Sequence, residues 1–317
     1  MNSGSIGGYI GLELPQGSGA PQGALAFDLG RHALEAILQA RAPRRLLAPR
    51  YTCEVLAPAI SRSGIPVVLY DLDHELDPVL PPGAPAAGDA LLYTNYFGLK
   101  QSTVERLAVS LPHLIVDNAQ AYYGAIPNGA DGFNSCRKFF GVADGAFAVC
   151  GAIAAVEPPP APTTGRYEHL FAALDRGTEA AFPLSQLHEQ RLADAPLRGM
   201  SPLTAALMGC MDHTHVREVR RRNRDRLHAA LKGYNRLPLD PASAEVPMVY
   251  PFLCDDAGLR DRLIAARIYT ARYWPGLLAP LAPADGARPF AEQVVYLPVD
   301  QRYGDREMDR VLEAVLR

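Results

Sequence analysis

The chain has 317 residues, of which 48% are hydrophobic and 21% charged, a globular composition with room for one large domain and a smaller one. Its formal net charge of -3 leaves no electrostatic footprint for nucleic acid. The basic run "REVRRRNRDR" (217–226) is interrupted by Glu218 and Asp225 within a helical pattern, and reads as a solvated helix face.

The predicted elements alternate from about residue 25 onward. "GRHALEAILQA" (30–40) is a helix with Ala33, Leu34, Ile37 and Leu38 on one face, and "RRLLAP" (44–49) is a short strand. "CEVLAPAISRSG" (53–64) returns to helix, with Pro58 near its first turn and Gly64 at its end. "IPVVLYDLD" (65–73) is a strand, "DALLYTNYFG" (89–98) a strand ending in an aromatic loop, and "STVERLAVSLP" (102–112) a helix. "HLIVDNA" (113–119) and "GAFAVCG" (145–151) are further strands. Strands separated by helices imply parallel pairing with crossovers, an α/β domain whose ligands bind beyond the carboxyl ends of the strands.

"VEPPPAPTTG" (156–165) reads as a surface loop. From residue 201 a long helix with a break leads into "VPMVYPFLC", "RLIAARIYTARYWP", "VVYLPVD" and the closing helix "REMDRVLEAVL". The expected division is a large α/β domain over 1–200 and a smaller α+β domain over 201–317. No internal repeat is present.

Five cysteines without a CxxC pair argue against a disulfide framework or a structural zinc site, and "HTH" (213–215) lacks the usual metal spacing, so no metal is assigned. "MNSGSIGGYIGLELP" at the start lacks the regions of a signal peptide, and no stretch reaches the ~18 apolar residues of a membrane span. The expected location is the cytoplasm, with no membrane and no nucleic acid as partner.

Two residues could carry chemistry. Asp117 ends the apolar run of "IVDNAQAYYG": it is either a cap after a strand or a carboxylate held for a protonated ring nitrogen, whose charged form an opposite charge favours. Lys138, in "NSCRKFFGVADGAF", is either a surface charge or an amine that Arg137 and the flanking aromatic rings favour in its neutral, nucleophilic form. Tyr93, Asn95 and Tyr96 on the ligand side of the sheet, and Tyr273 and Trp274 in a C-terminal loop, either contact a substrate or pack between domains.

"LIVDNAQAYYG" followed by "NSCRKFFGVADGAFAV" resembles the DegT/DnrJ/EryC1/StrS family of pyridoxal-phosphate (PLP) aminotransferases, which have the type I aminotransferase fold. "LGRHALEAIL", "LAPRYTCEVLAPAISRSGIPVVLYDLD", "YTNYFG", "RRRNRDRLHAAL" and "YLPVD" follow in the family's order, so the resemblance covers most of the chain from about residue 28. It implies a mostly parallel central sheet with flanking helices, and transfer of an amino group from glutamate to a keto group of a nucleotide-linked sugar, as in polysaccharide biosynthesis. By the same resemblance Lys138 would form the internal aldimine with PLP and shuttle the proton, and Asp117 would pair with the pyridine nitrogen. Gln120 would lie against the ring or its hydroxyl. Gly30, Arg31 and Ser135 would hold the phosphate, as free amides at a helix N-terminus also can. Because the family's sites form between two subunits, a homodimer is implied.

The chain departs from the family in several places. Leu29-Gly30-Arg31 stands where the family has Ser-Gly-Thr, and Cys53 where an aromatic ring stacks on the cofactor, so the clamp either comes from elsewhere, with Tyr51 one candidate, or is weaker. Ala143-Asp144-Gly145 replaces Gly-Glu-Gly. "LRGMSPL" (197–203) is the nearest counterpart of the segment supplied by a neighbouring subunit. These losses motivate an alternative, a PLP-fold protein with weakened cofactor binding and a regulatory or structural role; another PLP reaction on an amino acid is the third reading.

Overall fold

The computed structural model describes residues 12–14, 21, 23–153, 158–237, 244–274 and 276–317. Eight strands form one sheet: β1 (Leu25–Phe27), β2 (Arg45–Pro49), β3 (Val67–Leu72), β4 (Pro78–Val79), β5 (Asp89–Thr94), β6 (Leu114–Asn118), β7 (Asp131–Asn134) and β8 (Ala146–Val149). They lie in the order β1-β8-β7-β6-β5-β2-β3-β4. The pairs β2–β3, β2–β5, β5–β6 and β6–β7 are parallel, whereas β8 is antiparallel to β7 and β1, and β4 to β3. Helices α1 (Gly30–Arg41), α2 (Ala57–Ser63) and α3 (Gln101–Ser110) make the crossovers. The mostly parallel α/β sheet with flanking helices is the expected one.

Alternation along the strands builds two apolar layers. Leu46, Ala48, Ala90, Leu92 and Ile115 meet Leu34, Ile37 and Leu38 of α1 on one face. Leu47, Leu91, Tyr93 and Val116 belong to a larger cluster on the other, which also takes in Val216, Met248, Phe290 and Tyr296 from the C-terminal half. Each such side chain contributes about 1.5–3 kcal/mol when removed from water. β5 and β6 are buried along their whole length, which is why they read as apolar runs.

Two features lie beyond the sequence reading. β7 is a strand of sequence DGFN, in which Asp, Gly and Asn rarely form strands, and it exists through pairing with β6 and β8. Helices α4 (Glu168–Arg176) and α5 (Thr178–Ala193) fill a stretch to which the reading gave no element. Within 156–165 the described residues, 158–165, have no helix or strand and one isolated bridge, Pro160 to Gly199; residues 156 and 157 lie outside those described.

The expected helix after residue 201 is two: α6 (Pro202–Gly209), capped by Ser201, and α7 (His213–Leu231), capped by Asp212. Strands β9 (Val249–Phe252) and β10 (Val295–Pro298) pair antiparallel, with α8 (Leu259–Ala265), α9 (Arg288–Glu292) and α10 (Asp305–Leu316) around them. The basic run on α7 is not a solvated face throughout. Arg222 and Arg226 do face Asp305 and Asp309 of α10, but Arg220 and Arg224 are buried. The 3.6-residue period turns them inward beside Val216, Val219 and Leu227.

Gly98 closes the aromatic loop after β5 at φ +75°, and a Cβ there would come within 2.8 Å of the Val246 carbonyl oxygen and 3.2 Å of the Gln120 carbonyl oxygen. Gly98→Ala should therefore cost about 1–3 kcal/mol, read as a lowered urea midpoint with an unchanged slope.

His188 of α5 donates from Nε2 to the Ala143 carbonyl at 2.7 Å and stacks on His169. Burial, with Arg137 nearby, pushes its pKa from 6.5 down to about 4. Between those values the unfolded chain binds a proton that the folded chain refuses, so this contribution to stability is full above pH 6.5 and is lost as pH falls toward 4. His188→Gln should flatten the fall in urea midpoint between about pH 7 and pH 5.

Candidate active site

The direction of chain crossing reverses between β2 and β5, and a crevice at such a point is where α/β sheets bind ligands. Thr52, just past β2, and Thr94, the end of β5, face each other across it with hydroxyls 3.4 Å apart. Asp117, one strand further, is 4% exposed. Its Oδ1 accepts the Ala119 amide at 2.8 Å, while Oδ2 has only the Thr94 hydroxyl at 3.5 Å. Burial raises its pKa, and the positive charge of Lys138 opposes that rise. A desolvated carboxylate with acceptor capacity to spare suits a protonated nitrogen.

Lys138 reaches the same place from the next strand. The parallel register sets Asp117 against Phe133 and Asn118 against Asn134, so the chain leaves β7 beside Asp117. Ser135, half-buried, leads into a 3-10 turn, Cys136–Lys138, that the Cys136 amide ties to the Gly145 carbonyl at 2.9 Å. Lys138 opens onto a cavity of about 570 Å³ that Arg137, His169, Arg220, Tyr273 and Arg302 also line. The charges of Asp117 and Lys138 both act on Cys53, whose thiol burial pushes up. Cys53 bridges to Leu277, so the segment 276–278 closes over the end of β2.

Opposite this pair, α1 begins without a side-chain cap. A Cβ on Gly30 would lie 3.2 Å from the Asn134 carbonyl oxygen, so a side chain there would crowd the end of β7 beside Ser135. Arg31 donates to the Leu192 carbonyl, burial lowers its pKa, and its Nε is buried without a partner. Arg137 pairs with Glu189, and burial together with the charge of Arg31 pushes it down to about 10. Two desolvated guanidiniums beside an open helix N-terminus have the chemistry to hold an anion.

A buried charge network holds this end. Arg166 joins Asp28 at 3.1 Å and Asp144 at 3.2 Å; Asp28 also meets His32 at 2.6 Å, and Asp144 accepts the Ser201 amide at 3.1 Å. The starts of α1 and α6 and the loop after Lys138 are thereby pinned together.

Gln120 is fully buried; its Oε1 accepts the Phe97 amide at 3.1 Å, and its Nε2 is left without a partner. Tyr93, Asn95 and Tyr96, placed by the sequence on the ligand side, are sealed. Their polar atoms go to the Leu76 carbonyl, to Gln101, Asn118 and the Lys100 amide, and to the Tyr51 carbonyl. They scaffold the site because β5 is covered on both faces. Tyr51 donates to the Tyr273 carbonyl at 2.8 Å and packs on Tyr96 and Trp274, so Trp274 and Tyr51 are parts of one aromatic block. Tyr273 alone of the five candidates lines the cavity beside Lys138. Sequence reasoning missed Thr52, Thr94 and Arg166, which ordinary spacing does not signal, and it read Arg220 as surface.

No family model and no curated relative matches the chain. Solved structures do. A DegT/DnrJ/EryC1/StrS aminotransferase from Brucella abortus aligns at TM-score 0.63 and 16% identity, over 92% of this chain and 85% of that one. DesV of S. venezuelae, in complex with a ketimine intermediate, aligns at 0.64 and 19%, over 92% and 83%. DesI, in the presence of its TDP-sugar product, aligns at 0.61 and 19%, over 94% and 80%. At these identities the likeness is one of architecture: this chain has the fold of the DegT/DnrJ/EryC1/StrS-type sugar aminotransferases.

Proposed function

We propose that the chain is a PLP-dependent aminotransferase acting on a keto sugar. The observation that carries this is a desolvated carboxylate, Asp117, that feels the charge of the Lys138 amine from the adjacent strand end, near the uncapped start of α1. The residues fit the cofactor: Asp117 has acceptor capacity for a pyridinium nitrogen, and Gln120 Nε2 and Arg31 Nε are buried donors lacking partners. Gly30, Arg31 and Ser135, with Arg137 behind them, would take its phosphate, Gln120 its ring face or hydroxyl, and Lys138 its carbonyl carbon. Cys53, lacking a ring, would line the pocket without stacking. When bound, PLP supplies an electron sink beside the reacting nitrogen. Lys138 then takes and returns the proton at the substrate carbon, Asp117 holds its partner nitrogen charged, and the segment over Cys53 excludes water.

The finer reading is glutamate as amino donor, a nucleotide-linked keto sugar as acceptor, and a cytoplasmic homodimer feeding polysaccharide synthesis. The TDP-sugar product of DesI supports the sugar class, and the ketimine intermediate of DesV supports amino transfer. The losses at Leu29 and Cys53 favour the second reading, a scaffold with weakened cofactor binding.

Adding PLP to purified protein should produce the visible absorbance of the lysine-bound cofactor, absent in Lys138→Ala. In Asp117→Ala the absorbance should remain while single-turnover conversion by glutamate slows about a hundredfold or more. Wild-type protein that gains no such absorbance would favour the scaffold.

A further inference from the structure

Helix α5 is lightly held. Of its 16 residues only Ala181, His188 and Leu192 are buried, while Phe182 and Leu187 are exposed. A helix that buries so few side chains is among the more easily opened parts of a fold. Gly177, at φ +85°, joins it to α4, and Pro183 removes one amide donor from its interior. Its first turn is tied at the surface, where Glu179 meets Arg267 and the Tyr269 hydroxyl. Its last turn is tied to the start of α1 and the Lys138 turn. Arg137 pairs with Glu189, Arg31 Nη2 donates to the Leu192 carbonyl, and His188 donates to the Ala143 carbonyl. Just beyond, His32 Nε2 meets the Ala195 carbonyl at 3.1 Å.

The contact of Arg31 with α5 is only half made. A guanidinium grips an oxyanion best through Nε and Nη2 together, as Arg41 does Asp131 at 2.6 and 2.7 Å and Arg45 does Asp89 at 3.0 and 2.6 Å. On Arg31 the same edge has one neutral carbonyl at Nη2, and Nε is buried without a partner among the described residues. The Leu192 carbonyl does not depend on the arginine, because it also accepts the Ala195 amide at 3.1 Å. The Glu189 side chain is 57% exposed and would meet water on leaving Arg137. Both contacts can therefore be given up without leaving α5 a buried, unsatisfied acceptor. A phosphate offers both guanidiniums a charged partner in exchange.

We propose that a phosphate group and the last turn of α5 compete for Arg31 and Arg137, so that α5 is a strap which phosphate binding loosens. A phosphate that takes both Nε and Nη2 of Arg31 needs the place of the Leu192 carbonyl, and at Arg137 it repels the Glu189 carboxylate. That this phosphate is the cofactor's rests on the aminotransferase reading. His188, buried and bound to Ala143, keeps the helix attached while its last turn lets go. Ser185 and Glu189 line the cavity that Lys138 opens onto, so loosening this turn widens the approach to the amine. The strap thereby sets an order, with the phosphate seated before the cavity opens to substrate.

Hydrogen exchange of the amides of residues 190–195 reads the strap, with PLP, pyridoxal and millimolar inorganic phosphate as probes. PLP and inorganic phosphate should each speed this exchange about tenfold, and pyridoxal, which has no phosphate, should leave it unchanged. Glu189→Gln removes the competing charge at an exposed position, where folding is spared. It should bind PLP about threefold more tightly than wild type and pyridoxal equally. Exchange that slows or stays the same with either phosphate probe would overturn the proposal, as would equal acceleration by pyridoxal or a PLP affinity not raised in Glu189→Gln. The two readings fail separately. Visible absorbance of lysine-bound PLP with unchanged exchange keeps the aminotransferase and removes the strap. Acceleration by inorganic phosphate without that absorbance keeps the competition and removes the aminotransferase.

Discussion

The parallel pairing of β6 with β7 sets the position of everything in the crevice. Four register pairs, from Ile115 with Asp131 to Asn118 with Asn134, bring the Lys138 turn out beside Asp117. A slip of one residue would turn Phe133 to the opposite face and carry Ser135 away from the start of α1. β7 is too short and polar to hold that register alone. Arg41 clamps Asp131 at its entry at 2.6 Å, and Asn134 accepts the Phe147 amide at 2.8 Å at its exit. The first contact comes from α1, far back in the chain, and the second from β8, the neighbouring strand.

Charge is handled differently at the two ends of the site. Around Asp117 a lone carboxylate is buried with few partners, which keeps it responsive to a cation. At the α1 end the charges are numerous and mutually bound: Arg166 sits between Asp28 and Asp144, and His32 completes the shell. Removing one partner from such a network leaves a buried charge uncompensated, so the network makes this end of the crevice rigid.

Much of the architecture was legible in the residues. The apolar runs of β5 and β6 are continuous because both sheet faces are covered, and α1 shows its buried face at the helical period. Asp117 stood out as the charge ending such a run, and Lys138 through its motif. The candidates Tyr93 and Tyr96 were harder to judge. An aromatic residue at a strand end has the same local pattern whether it meets a ligand or a neighbouring ring, and here β5 is sealed. The basic run on α7 hid Arg220 for a related reason, since arginine in a helix is most often solvated and only packing against Phe139 and Gln301 turned this one inward.

By itself the sequence determined the alternation of strands and helices, hence a mostly parallel sheet, because period and run length are local properties of the chain. It also singled out the carboxylate and the amine that stand at or just past the carboxyl ends of β6 and β7. Tertiary structure alone decided β7, the α4–α5 cover, the Asp28–Arg166–Asp144 network and the orientation of Arg220. Each of these depends on residues tens to hundreds of positions apart, and the energy that selects it comes from pairing and desolvation, which exist only once the chain has closed on itself.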